Sequence, residues 1–304
     1  MNKSIKTFTA NQIVRILKKW VMFKRRRLSK SILSSRLAKF NEINSDIKKS
    51  LGLIKEITKI DFSKESLVFN ESKLIDIQKD IDKKLTKCFT NNYPYQSGAL
   101  EDEMKFLCHL ILAKKPLNIL EVGIANGYSS EMIQKSISLI LKEKNNAKHN
   151  IIRIDMPRFE TTKRNLYTKL VAYSYKNSNL LNEQTRSVFD IKEGGVIPKN
   201  KYAGWLISDI FDDSINIRTF YGNVFNLEER FSNTKFDFIL LDAMKDAKSR
   251  YQLLKMLSKH LSNEALIIFD GAWINSAVED FAVDYNLDLF EVGRCSILRN
   301  RIKV

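Results

Sequence analysis

Leu117-Asn118-Ile119-Leu120-Glu121-Val122-Gly123-Ile124-Ala125-Asn126-Gly127-Tyr128-Ser129-Ser130 is the stretch that decides the fold. An apolar run ends in Val122-Gly123, a second glycine follows four residues later, and helical sequence begins near Ser129. This is a strand, a tight turn and a helix. Gly123 lets the chain turn sharply and lets a ligand approach the backbone. The helix starting near Ser129 points its first N–H groups at the turn, a setting that suits a carboxylate or phosphate. A dinucleotide-binding turn would carry G-x-G-x-x-G. Ala125 stands where its second glycine would be, so that pattern is absent.

Downstream, apolar runs at Asn150–Ile154, Ile215–Tyr221, Phe236–Leu241 and Ala265–Phe269 alternate with helical stretches. Strands alternating with helices predict a parallel sheet covered on both faces. The last two runs, near Leu287–Val292 and Ser296–Arg301, are separated only by Gly293-Arg294-Cys295. No crossover helix fits there, so they are expected to form an antiparallel hairpin. Gly123, Asp155, Gly222, Asp242 and Asp270 close the five earlier runs. In open parallel sheets, ligands sit beyond that carboxyl edge.

Upstream the texture is helical. Ile43, Ile47, Leu51, Ile54 and Ile57 predict a helix over residues 41–60, and Leu74, Ile77, Ile81 and Leu85 predict another from Ser72 to about Phe89. Residues 91–98 read as a turn-rich boundary, followed by a helix over about 100–114. The expected division is a helical extension over 1–92 and an α/β domain over 93–304.

The 304 residues include 51 Lys+Arg against 35 Asp+Glu, a formal charge of +16. Residues 1–60 hold sixteen of the basic and three of the acidic residues, so the remainder is nearly balanced. The electrostatic argument about partners therefore concerns the N-terminal segment. Ile13, Ile16, Leu17, Trp20, Met22 and Phe23 recur among its cations at helical spacing. A basic amphipathic helix of this kind suits an anionic membrane surface, nucleic-acid phosphates, an organellar transit signal, or packing against its own domain or a second subunit. The membrane surface, contacted through residues 1–40, ranks first and nucleic acid below it. A homo-oligomer built through the N-terminal helices is a further option. The expected location is cytoplasmic, peripheral on the inner face of a membrane.

Other classes are excluded. A hydrophobic content of 44 % rules out wholesale disorder. No stretch of about 18 uncharged apolar residues exists to span a bilayer. Cys88, Cys108 and Cys295 are too few for a disulfide framework, and the three histidines have no zinc-ligand spacing. His109, on a helix face, reads as structural.

The pattern E-x-G-x-x-x-G-x-S, formed by Glu121, Gly123, Gly127 and Ser129, resembles motif I of the class I S-adenosylmethionine-dependent methyltransferases. Asp155 stands where that family places an acid on the ribose hydroxyls, and a vicinal diol calls for such acceptor oxygens. Tyr221-Gly222-Asn223 stands where the family lines the adenine pocket. Leu241-Asp242-Ala243-Met244-Lys245-Asp246, with the following Tyr251, is similar to the L-D-x-x-K-D segment of the catechol O-methyltransferase-like group. The stretch Gly194–Pro198 with Gly204-Trp205 faintly resembles a bacterial branch associated with sugar modification. The resemblance covers about residues 93–304. It implies a Rossmann-like, mostly parallel sheet with the antiparallel hairpin at its end, preceded by the helical extension.

The resemblance further implies S-adenosylmethionine held by Glu121, Gly123, Ala125, Gly127, Ser129, Asp155, Asn223 and Asp242. It makes Lys245 the candidate base, with Asp242 beside it in the catalytic set, and Asp242 and Asp270 candidate ligands of Mg2+. Gly271 replaces the asparagine that would be the third ligand, leaving water or Asp246 to complete the shell. Asp242 could instead cap the next helix, Lys245 be a solvated first-turn lysine, and Asp270 merely close a strand. Trp205 and Trp273 are candidates for the acceptor pocket or the core. About 60 residues separate Asp155 from Ile215, more than one crossover needs, and part of them is expected to cover the acceptor. The leading expectation is O-methylation of a small-molecule, sugar or lipid-linked hydroxyl. RNA ribose methylation and a non-catalytic scaffold with a relic pocket are the competitors. Base N-methylation is disfavoured because no N/D-P-P-Y segment follows the fourth strand, and C5-pyrimidine chemistry because no Pro-Cys pair exists.

Overall fold

The computed structural model describes residues 31–86, 101–124, 127–142, 147–155, 189–192, 195–198, 207, 213–243, 246–272 and 275–300. The basic stretch over 13–23, the turn over 91–98, Ala125, Lys245, Trp205 and Trp273 lie outside the described residues.

Residues 31–44 form helix α1. Asp46 then caps α2 (Ile47–Thr58), its side chain accepting the Lys48 N–H at 2.8 Å. The expected continuous helix over 41–60 is thus two helices, because an aspartate in extended conformation satisfies the first N–H groups of the second. Helix α3 (Lys64–Thr86) begins at Lys64 rather than Ser72, since Ser63 Oγ accepts the Ser66 N–H at 3.0 Å and starts it there. Helix α4 (Glu101–Lys114) leads into the sheet.

The α/β part runs β1 (Asn118–Val122), α5 (Tyr128–Lys142), β2 (His149–Asp155), β3 (Phe189–Lys192), β4 (Gly195–Pro198), β5 (Ile215–Tyr221), β6 (Phe236–Leu241), α6 (Ala247–Leu257), β7 (Leu261–Phe269), α7 (Ala277–Asp284), β8 (Asp288–Val292) and β9 (Cys295–Arg299). Seven strands form one sheet in the order β5-β2-β1-β6-β7-β9-β8. The first five are parallel. Strand β9 pairs antiparallel with both β7 and β8, the hairpin read from the sequence. Strands β3 and β4 form a separate antiparallel pair within the long crossover.

Alternation along the central strands divides two cores. Ile119, Ile151, Phe238, Leu240, Leu266, Ile268 and Ile297 face α4 and α5. Leu120, Ile152, Ile239, Leu241, Ile267, Phe269 and Leu298 face α6 and α7. Phe40, Ile54, Ile57, Leu67, Leu74 and Ile81, from α1, α2 and α3, belong to the first core. The described N-terminal helices therefore pack over α4 and α5 and share the first core. Arg36 fastens this layer. It is buried, its Nε donates to the Gly293 carbonyl at 2.9 Å, its Nη2 donates to the Cys295 carbonyl and the Ser296 hydroxyl, and Nη1 lies 3.4 Å from Glu291.

The chain leaves β1, moves outward through β2 and β5, and returns to the other side of β1 as β6. This reversal opens a crevice at the carboxyl edge between β1 and β6. Backbone hydrogen bonds extend the ladder just past the strands there: Gly123 N to Ile154 O, Gly222 N to Asp155 O, Asp242 N to Val122 O and Asp270 N to Leu241 O.

Candidate functional site

The glycine turn is built on the reversal. Gly123 has φ +94°, and a Cβ there would lie 2.6 Å from the Asp242 carbonyl oxygen. Only glycine lets β1 and β6 pass this closely. Gly127, at φ +98°, closes the turn by donating to the Ile124 carbonyl at 2.8 Å and accepts the Glu131 N–H at 2.9 Å, starting α5. Asp155 clamps the same turn from β2, its Oδ2 accepting the Ile124 N–H at 2.7 Å.

Glu121 lies beneath the turn, fully buried. Its Oε1 accepts from Ser129 Oγ at 2.6 Å and its Oε2 from Ser130 Oγ at 2.5 Å. Arg153 is its partner across β1 and β2, with Nε 3.7 Å from Oε2. Arg153 also donates to Gln134 Oε1 at 2.8 Å and to the Ser130 carbonyl at 3.2 Å. Burial pushes the Glu121 carboxyl above its ordinary range, against the pull of Arg153 and the two hydroxyls. Glu121 and Ser129 thus hold the first turn of α5 against β1. The sequence suggested neither Ser130 nor Arg153, although an arginine within Ile151-Ile152-Arg153-Ile154 signals a buried charge awaiting a partner.

Above the turn, Asp155 and Tyr221 are paired in register at the ends of β2 and β5. Asp155 is half-buried and Tyr221 exposed, so an acid and an aromatic face stand side by side at the edge. A carboxylate acceptor and an aromatic face fit the ribose and adenine of S-adenosylmethionine in kind. Asn223 accepts the Phe225 N–H at 3.1 Å and caps the short 3-10 turn Val224–Asn226.

On the other side of the crevice, Asp242 ends β6, half-buried against Gly123. Asp246, not Asp242, caps α6, accepting the Ser249 N–H at 2.9 Å. Asp270 follows β7 and is buried, with Cys295 Sγ 4.0 Å from its Oδ1. Tyr251 donates to Asp284 on α7.

Beside Asp270 stands Arg250, which the sequence reading missed. It is fully buried, its Nη1 donates to the Gly271 carbonyl at 2.9 Å, and its guanidinium lies 4.7 Å from the Phe269 ring centre. Burial lowers its pKa, while the charges of Asp270, Asp242, Glu279 and Asp246 hold it up. The signal was present in the sequence: Arg250 shares the apolar stripe of α6 with Leu253, Leu254 and Leu257. The residues present do not fit a magnesium site. Asp246 serves as a cap, and Gly271 gives its carbonyl to the Arg250 guanidinium, next to Asp270 in the chain. Among the described residues no group of three His, Cys, Asp or Glu side chains is placed to hold a metal ion.

No protein-family model matches the chain, and no curated protein matches it. Solved structures do. An O-methyltransferase from Bacillus cereus in complex with SAH is 13% identical over 84% of this chain and 100% of that one, with a TM-score of 0.40. A caffeoyl-CoA O-methyltransferase-like protein from Staphylococcus aureus is 16% identical over 77% and 100%, TM-score 0.41. An SAH-bound methyltransferase from Podospora anserina is 15% identical over 75% and 86%, TM-score 0.40.

Proposed function

We propose that this chain transfers a methyl group from S-adenosylmethionine to a hydroxyl oxygen of a small-molecule, sugar or lipid-linked acceptor. One observation carries the reading. The E-x-G-x-x-x-G-x-S turn sits at the strand-order reversal, with Asp155 clamped to it and Asp242 packed against it.

The cofactor supplies an activated methyl on a sulfonium, so the protein has mainly to align the acceptor and remove its proton. The glycine turn and the N-terminus of α5 bind the amino-acid end, and Asp155 accepts from the ribose hydroxyls. Glu121 holds that turn rigid from below through Ser129 and Ser130. Lys245 would take the acceptor's hydroxyl proton as the methyl is transferred. A lysine can take this proton only where burial or a nearby cation lowers its pKa. Asp242 orients the acceptor at the mouth of the crevice.

The basic segment 1–30 directs the chain to an anionic membrane surface. Residues 31–40 of the expected contact region already place Arg36 and Phe40 in the body of the protein. No helix among the described residues is long and apolar enough to cross a membrane.

Calorimetry of the full chain with S-adenosylmethionine tests the reading. Binding is expected, weakened at least about tenfold by Asp155→Asn with unchanged unfolding. Absence of binding by a folded chain removes the proposal. Flotation with anionic liposomes, with and without residues 1–30, tests the membrane reading in the same way.

A further inference from the structure

We propose that Arg250 is the fixed cation of this sheet edge. Its guanidinium, held on Phe269 and the Gly271 carbonyl on either side of Asp270, takes the charge-neutralising place that the catechol-type resemblance gives to a divalent ion, so the chain binds no such ion there. The inference rests on the methyltransferase reading only for what an ion at that place would do.

Three independent features converge on it. The guanidinium is anchored on both residues flanking Asp270 in the chain, stacked on Phe269 and hydrogen-bonded to the Gly271 carbonyl. Gly271 is the position whose side chain would have completed the ion's shell, and its remaining oxygen is already engaged. Asp270 itself is 4 % exposed and faces Cys295 on one side, so its carboxylate is not presented to solvent for a hydrated ion. Magnesium keeps several waters and tolerates only near-octahedral geometry, and a cation fixed among its ligands repels it directly. Arginine suits the place because it stays charged when buried and its planar fork matches a carbonyl and carboxylates together.

The expected consequence is a carboxylate pair held in place without any metal. Arg250 is a positioning residue, since it is fully buried and acts on the crevice through Asp242 and Asp270.

The test is Mn2+ binding to the full chain, read by electron paramagnetic resonance, with S-adenosylmethionine binding measured on the same samples. Wild type is expected to bind no Mn2+ in the millimolar range. Arg250→Gln is expected to gain a site at least about tenfold tighter than wild type, lost again when Asp270→Asn is added. Arg250→Lys, which keeps the charge, is expected to gain none. One Mn2+ bound by wild type and lost in Asp270→Asn overturns the proposal. So does an Arg250→Gln chain that folds but binds Mn2+ no better than wild type. Should Arg250→Gln fail to fold, the wild-type and Asp270→Asn titrations decide alone. A chain that binds no S-adenosylmethionine strikes the proposed transfer and leaves the Mn2+ result standing.

Discussion

Replacing Gly123 by alanine probes the joint on which the site is built. The new Cβ would lie 2.6 Å from the Asp242 carbonyl oxygen and 2.9 Å from its carbon. Ordinary contact begins near 3.4 Å, so the end of β6 must retreat by about 0.8 Å. Both atoms are backbone, so no rotamer change relieves the clash. The φ of +94° adds about 1–2 kcal/mol for any L side chain. Retreat also strains the Asp242 N–H bond to the Val122 carbonyl, worth about 1 kcal/mol. Gly123→Ala should therefore cost about 3 kcal/mol and, because Asp242 moves, weaken S-adenosylmethionine binding. Gly52→Ala is the matched control. It lies inside α2, no atom lies within 4 Å of the added Cβ, and the same substitution should stabilise by about 0.5–1 kcal/mol. Urea unfolding of both variants, compared at equal slope, gives the two signs. A Gly123→Ala chain as stable as wild type would refute the close passage of β1 and β6.

Three further outcomes are expected. Glu121→Ala should cost about 3–5 kcal/mol because it strands the buried Arg153, while Glu121→Gln, which still accepts from the serines, should cost less; urea midpoints separate them. Arg36→Ala should destabilise the whole sheet by about 3 kcal/mol, and hydrogen exchange should loosen β8 and β9 together with α1; protection of the hairpin unchanged would mean the helix layer is detachable. His109 is pushed down to about 4, first by burial and then by Lys105. Its folded pKa lies below its unfolded value of about 6.5, so the unfolded chain gains the proton first as pH falls. Stability should be flat above neutrality and fall by about 3 kcal/mol between pH 6.5 and 4, a slope that His109→Phe should remove.

Much of the architecture was legible because it follows from local rules. Five apolar runs with acids or glycines at their ends required a parallel sheet and marked its ligand edge. The three-residue connection around Arg294 required the hairpin. The helix boundaries near Asp46 and Ser63 were misread because a single capping side chain outweighs several residues of apolar periodicity. The partners of buried charges were also hidden. Glu121, a cofactor-binding candidate in the motif, also accepts from Ser129 and Ser130, because a carboxylate within a buried strand must find donors near at hand. Arg250 and Asp270, twenty residues apart in the chain, meet only because β6 and β7 are neighbours and α6 crosses between them.

By itself, then, the stretch from Leu117 to Ser130 determined a strand, a glycine turn and a helix, and with the later strand ends it determined where a ligand would sit. Local spacing suffices for that, since turn geometry and strand alternation depend on near neighbours. Two matters were decided only by the tertiary structure. Residues 31–86 joined one face of the core, because Phe40 packs on Phe106 of α4, Arg36 bonds to Gly293 and the Ile57 carbonyl accepts from Arg299, the last two more than two hundred residues distant. The carboxylates at the crevice acquired a guanidinium neighbour, because charge pairing across elements depends on packing that no local pattern encodes.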